Sequence, residues 1–374
     1  MSRKPPKTSN SLSSRNFQLV ELIRTEKIFL SLILVGFIVS ALFYQQRNIA
    51  MWIGFAFAGY AAVANDSIQT IGTFIGSNQK TKWWILWLFI GGLFLLTVTY
   101  SFFEFDGDVT YQRLSDGKGG SKYPHPESFS YLQVVAPLFL LIITRLRMPV
   151  STTFLLLSSF SATSSGITSV LAKSLSGYAM AFIVSGVIWA ISYNYIRKWF
   201  KHRKSHRAWT IIQWITSGTL WSVWIMQDAA NIAVYLPRQL DGVQFLGFAA
   251  VIFLGLGVIF YLKGDKIQGI VTEKTRLEDV RAATFVDFIY ALLLIYKLFI
   301  STVPLSTTWV FLGVLGGREI AINILRKKSG KKHVKQSFKI VGRDMLYALI
   351  GLAVSIIIAL AVNPTIHDAL LGKH

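Results

Sequence analysis

Two short stretches decide how this chain folds: Asn65-Asp66-Ser67-Ile68-Gln69 and Gln227-Asp228-Ala229-Ala230-Asn231, each an acid flanked by amides inside a long apolar run. An aspartate in mid-span costs roughly 2.5–3.5 kcal/mol on membrane-insertion scales, so both are functional candidates. A second pair recurs in the same order, Pro149-Val150-Ser151-Thr152-Thr153 and Pro304-Leu305-Ser306-Thr307-Thr308. The offsets nearly agree, from 66 to 228 and from 151 to 306. A chain that repeats itself in this way has two halves, and inverted halves are how many secondary transporters are built.

Composition supplies the solvent. Of 374 residues, 53% are hydrophobic and only 15% charged, with a mean hydropathy of +0.49, whereas a soluble domain carries roughly 25% charge. Apolar runs that suit a bilayer, which takes about 20 helical residues, lie at 28–44, 83–103, 177–196, 243–262 and 345–362. The polar, basic N-terminal segment, and the absence of a cleavage site after the first long run, predict a retained anchor and not a secretory signal. The chain has no cysteine, which excludes disulfides and zinc–cysteine sites. Its net charge of +20 is concentrated in short loops at 197–207 and 326–339, the signature of the positive-inside rule and not of nucleic-acid binding.

Charge then orders the spans. With the N-terminus cytoplasmic, 28–44 crosses outward, 51–77 returns, and 83–103 leads out to an acidic loop at 104–128. The next apolar stretch, 129–170, is interrupted by Arg145, Arg147, Pro149 and the Ser-Thr-Thr run. It either spans twice or enters and leaves on one face; the short interruption favours a re-entrant hairpin, tolerated at membrane depth where it lines a cavity. A turn at 172–176 and the span 177–196 follow. The second half repeats the plan in the opposite direction, with 208–235, 243–262, a second hairpin at 284–325, and 345–362. The expected fold is an all-α polytopic membrane protein, an inverted-repeat secondary transporter with two broken helices and two re-entrant helical hairpins. Its parts are a basic tail with an extra transmembrane helix (1–50), two repeats (51–200 and 201–362) and a short tail (363–374).

Chemistry is expected where polar groups sit at membrane depth. Asn65, Asp66 and Gln69 share a helix face, as do Gln227, Asp228 and Asn231. Carboxylate, carboxamide and unwound backbone oxygens would suit a small alkali cation or a proton relay, where interhelical glue is the plainer reading. Ser151, Thr152, Thr153, Ser306, Thr307 and Thr308 offer hydroxyls at helix starts, an anion site or simple N-caps. Arg147, with Arg145 behind it, either contacts an oxyanion or snorkels. Asp287 either pairs with Lys297 or adds to a cation site, and Arg318-Glu319 reads as a structural ion pair. His202 and His206 lie in a solvated basic loop without carboxylates, and no motif of an enzyme active site is present.

On these motifs the chain resembles the inorganic phosphate transporter (PiT, Pho-4) family, whose halves each carry a G-x-N-D-V-x-N-A signature and a P-[IV]-S-[TG]-T-H tip. Asn65-Asp66, Asp228 with Asn231, 149–153 and 304–308 match; Gln69, Gln227, Phe154 and Trp309 depart, as do Val63-Ala64 and Ile225-Met226 where the family has glycine. The resemblance covers 51–362. It implies symport of inorganic phosphate with Na+ (or H+) as coupling ion, with no other cofactor, the aspartates near cations and the tips on phosphate. A carrier of sulfate or another small oxyanion, or a non-transporting receptor of the same fold, stands as the alternative. The expected partners are the oxyanion and the lipid bilayer, not nucleic acid, and a homodimer is one possible assembly.

Overall fold

Backbone polar groups in hydrocarbon must be satisfied within the chain, which leaves helices as the means of crossing. The computed structural model describes residues 11–114, 123–145, 150–161, 164–200, 206–262, 280–300, 306–325 and 331–363. Their helices, in order, are α1 (Ser11–Phe43), α2 (Arg47–Ser77), α3 (Trp83–Glu104), α4 (Tyr131–Arg145), a π-helical turn (Thr153–Leu157), α5 (Ser164–Phe200), α6 (Arg207–Ala233), α7 (Gly242–Tyr261), α8 (Val280–Ile300), α9 (Thr307–Leu325) and α10 (Lys331–Val362). Among the described residues, seven helices are long and apolar enough to cross a membrane. The chain is an integral, multi-pass membrane protein.

The two helices that carry the acid motifs, α2 and α6, pack against each other antiparallel, and so do α3 and α7. Asn78 of α2 meets Gln213 of α6, while Gly54, nearer the start of α2, meets Tyr235 just beyond the end of α6. Trp83 of α3 meets Tyr261 of α7, and Phe102 meets Phe245. Partners also exchange in pairs: α2 packs on α4 and α6 on α8, α2 on α7 and α6 on α3, α5 on α9 and α10 on the π-helical turn.

Two expectations are corrected. α2 and α6 run unbroken through Asp66 and Asp228. The alanine-rich surroundings, 61–64 and 229–230, favour helix and contain no glycine or proline to break it. The turn expected at 172–176 is helical, inside the 37-residue α5. The two hairpins also differ from each other. The second arm of the later one is the regular helix α9, whereas in the earlier one the helix gives way after the π-helical turn. Serines cause that: the Ser159 hydroxyl bonds back to the Leu155 carbonyl at 2.7 Å, a competition that weakens helix propagation. The carbonyls released there are satisfied from elsewhere. Gln133 donates to Ser159 O at 3.2 Å, and Asn363 to Ser158 O and Ser161 O at 3.0 and 2.8 Å.

One end of the bundle is tied by loop residues. Arg238 donates to Tyr123 O at 2.7 Å and to the last carbonyls of α6, and Leu240 N–H donates to Gly107 O at 2.9 Å. His125 lies between Arg47 Nη2, at 2.8 Å from Nδ1, and Tyr235 O, at 3.1 Å from Nε2. The guanidinium donates to Nδ1, so the neutral ring carries its proton on Nε2. Burial, then the charge of Arg238, holds this imidazole down to about 4 against a usual 6.5.

Two predictions follow from this packing. α5 and α9 run parallel in close contact because Gly313 and Gly317 face Tyr178 and Phe182; a Cβ on Gly313 would stand 2.6 Å from Tyr178 O, and one on Gly317 closer still to Phe182 O. Gly313→Ala and Gly317→Ala should each cost about 1–3 kcal/mol, seen as a lower thermal midpoint in detergent, while Gly92→Ala, with open space around it, should not lower it. The depressed pKa of His125 means that the folded state binds fewer protons than the unfolded one. Its contribution is full above pH 6.5 and is lost as pH falls from there toward about 4. In a His125→Gln variant the thermal midpoint should therefore fall less between pH 7 and pH 5 than in the wild type; equal slopes would remove His125 as the cause.

Candidate functional site

α6 carries Asp228 five residues before its last helical residue, where the helix meets both hairpin tips. The carboxylate is 1% exposed. A charge so deprived of water must be met by donors, and three elements supply them. Asn231, one turn on, donates to Oδ1 at 2.5 Å; Thr307, at the start of α9, donates to Oδ2 at 2.6 Å; Thr153, at the start of the π-helical turn, adds a further hydrogen bond. The Asn231 amide also reaches the Thr152 and Thr153 hydroxyls, both at 3.2 Å. One acid and one amide thus join tips that are 155 residues apart in sequence (152 to 307).

Neighbouring groups fix this arrangement. Trp224, one turn before Asp228, donates from Nε1 to Thr307 Oγ1 at 3.2 Å, and Tyr290 of α8 donates to Thr307 O at 2.9 Å. Asn65 of α2 donates to Val150 O at 3.3 Å, beside the same first tip that Asn231 reaches from α6. Gln227 donates to Leu294 O at 2.9 Å. Two acceptors are left over: Gln227 Oε1 and Asn231 Oδ1 are buried with no hydrogen-bond partner. Buried carbonyl oxygens without donors are uncommon and call for an explanation; oxygens of this kind have the chemistry of hard-cation ligands, and that of Asn231 belongs to the amide that bonds the carboxylate.

The tip serines act as caps. Ser151 Oγ accepts from Phe154 N–H at 3.2 Å and Ser306 Oγ from Trp309 N–H at 3.4 Å, equivalent bonds in the two halves. Ser174 of α5 in turn accepts from Ser306 N–H at 2.9 Å. Thr308 is buried next to them.

Other expected residues fall elsewhere. Asp287 does not pair with Lys297. Its oxygens accept from Thr73 at 2.6 Å and Ser217 at 2.5 Å, because α8 presents it to the α2–α6 seam. Ser217 lies about 16 Å of helix rise from Asp228, so Asp287 belongs to a second polar cluster, continued by Ser77, Asn78, Gln213 and Trp214. Arg145 turns away from the tip: it pairs with Glu26 of α1 at 2.5 Å and lies over the Phe29 ring. Arg318 and Glu319 are not an ion pair, since Arg318 stacks over Trp189 and Glu319 takes Asn323, whose side chains are in reach on the helix face. Gln69 is half-buried on α2, with no hydrogen bond to the Asp228 cluster. His206 caps α6. Arg147, Pro149, Pro304 and His202 lie outside the described residues, as does the side chain of Asp66.

Sequence reasoning missed Trp224, Tyr290, Thr73 and Ser217. Trp224 was within reach, standing four residues before Asp228 on the same face; the others are ordinary span residues whose partners lie on distant helices.

A cap and a ligand contact are separable. Ser151→Ala and Ser306→Ala should each lower the thermal midpoint by the equivalent of about 0.5–2 kcal/mol, and the Gly variants by only a few tenths. Equal losses for Ala and Gly would show that the hydroxyls do more than cap.

No protein-family model matches the chain, and no curated protein matches it. A solved structure described as "The sodium-dependent phosphate transporter" is similar in fold, with a TM-score of 0.55 at 17% identity, over 84% of this chain and 98% of that one. The likeness shows that the chain shares that structure's fold.

Proposed function

We propose that this protein is a secondary active transporter that carries inorganic phosphate together with Na+ (or H+) by alternating access. The observation that supports it most is the convergence of both Ser-Thr-Thr tips on Asp228 and Asn231. One point thereby gathers what a symporter needs: an acid, the unpartnered amide oxygen of Asn231, and hydroxyls at helix starts whose dipole favours an anion, with the unpartnered oxygen of Gln227 on the adjoining residue. The sodium-dependent phosphate transporter of similar fold supports the same reading.

In this proposal the two halves are inverted repeats, 51–200 and 201–362, preceded by an extra helix in 1–50. The antiparallel packing of α2 on α6 and of α3 on α7 supports that relation. The hairpins are re-entrant and bring their tips to mid-depth. Ser151, Thr152, Thr153, Ser306, Thr307 and Thr308, with Arg147, bind the anion. The cation lies against Asp228, Asn231 and Gln227, with Asn65, Asp66 and Gln69 in the equivalent place, and Asp287 holds a cation in the second polar cluster. Movement of one half against the other then opens the shared site to each face in turn.

The test is uptake of labelled phosphate, against labelled sulfate, by the purified protein in liposomes under sodium and proton gradients. Phosphate uptake driven by one of the gradients is expected. Asp66→Asn and Asp228→Asn, which keep shape and remove charge, should each lower it by about tenfold or more, since a hydrogen bond to a charged group is worth roughly 1.5–3 kcal/mol. Sulfate uptake in place of phosphate would reassign the substrate, and wild-type ion dependence in both variants would remove the aspartates from coupling.

A further inference from the structure

One buried cation near this site has no role in the reading above. Arg113 belongs to the 105–114 loop, yet it is only 3% exposed and donates from Nε to the Met226 carbonyl at 2.9 Å, two residues before Asp228. Burial pushes its guanidinium down to about 10, and the charge of Asp228 acts in the other direction; it stays protonated at neutral pH. The hydrogen-bond partners of the Asp228 carboxylate are Thr307, Asn231 and Thr153. Arg113 therefore acts on it through space.

The loop that delivers Arg113 is held in an unusual backbone. Asp106, Gly107, Tyr111 and Gln112 have φ of 47°, 93°, 54° and 58°, and three of the four carry side chains that disfavour the left-handed region. Such a conformation persists only where its surroundings impose it. Here Asp108 accepts from Thr110 N–H, Thr110 Oγ1 and Gln112 N–H at 2.5, 2.6 and 3.0 Å. Ser101 Oγ donates to Asp108 O at 2.7 Å and accepts from Tyr111 N–H at 3.1 Å, while the Tyr111 hydroxyl donates to Thr97 O at 2.7 Å. Gly107 fits because its carbonyl takes Leu240 N–H and a Cβ would lie 2.6 Å from Leu240 O. Every one of these bonds tightens the segment that ends on Arg113.

We propose that Arg113 is a positioning charge of the transport site: it weakens the hold of Asp228 on the coupling cation and strengthens the hold of the tips on the oxyanion. This rests on the transport reading above. The reason is electrostatic. In a water-poor interior, charges act over several ångströms with little screening, so a fixed positive charge beside Asp228 repels a cation bound there. The same charge offsets the repulsion between the carboxylate and an anion at the neighbouring hydroxyls. Both ligands can then share one small site and still leave it.

The signature is a pair of opposite shifts, which damage to the fold would not produce. In liposomes, Arg113→Gln should lower the half-saturating sodium concentration by at least fivefold and raise that of phosphate by at least fivefold, while Arg113→Lys stays near the wild type. Gly107→Ala, which displaces the loop without touching the arginine, should shift both constants in the same two directions. A second readout needs no transport: in detergent, the sodium concentration that half-raises the thermal midpoint should fall in Arg113→Gln. Shifts of both constants in one direction, or neither by more than twofold, would overturn the proposal. A wild-type protein that takes up no phosphate would sink the transport reading instead, and the sodium titration in detergent would still decide the role of Arg113.

Discussion

Most of the interior answers to one buried carboxylate. Asp228 has almost no contact with solvent, and an acid in that position is tolerated only if donors surround it. Its donors come from three separate elements: Asn231 from its own helix, Thr307 from the second tip and Thr153 from the first. Packing in a membrane interior has no hydrophobic drive between helices beyond what lipid also offers. Polar demand therefore specifies which elements meet, and here it draws two distant hairpin tips to the same turn of α6.

Around that point the fold alternates between tight and open construction. α5 and α9 touch backbone to backbone through Gly313 and Gly317, and the Ser185 hydroxyl donates across the contact to Val314 O at 2.7 Å. By contrast, α3 and α7 meet through aromatic rings, with Trp87 against Phe253 at 4.7 Å between centroids. After the π-helical turn the helix is interrupted, and Gln133 and Asn363 supply donors to its carbonyls.

A second buried acid shows how the same physics divides the interior. Asp287 is as enclosed as Asp228 but is met by Thr73 and Ser217, which stand on α2 and α6 well away from the tips. Its cluster grades into Ser77, Asn78 and Gln213 at the far end of the same two helices. The α2–α6 pair thus carries two polar clusters, with Asp287 at one and Asp228 at the other, and buried apolar residues such as Ile71, Leu220 and Trp221 between them. α1 stands apart from this seam and is tied to the first hairpin through Glu26 and Arg145.

The sequence by itself determined that the chain lives in a membrane, and it marked two recurring motif pairs, among them Asp228 and the Ser-Thr-Thr tips that the structure brings together. These are legible because each is local: a run of about 20 apolar residues, an acid inside it, a repeated pentapeptide. It misjudged α2 and α6, which the aspartates do not break, because Ala61, Ala62 and Ala230 keep the helix intact while side chains, not unwound backbone, face the tips. It also paired charges by proximity in the chain, Arg318 with Glu319 and Asp287 with Lys297, where the structure pairs them across helices or with hydroxyls. Only the tertiary structure decided that both tips meet at one carboxylate, that Asp287 serves a separate cluster, and that Arg113 comes in from a loop to the Met226 carbonyl, two residues before Asp228. The physical reason is range: backbone hydrogen bonds and hydrophobic periodicity are written within a few residues, whereas the field of a buried charge selects its partners by distance in space, over more than a hundred positions of sequence.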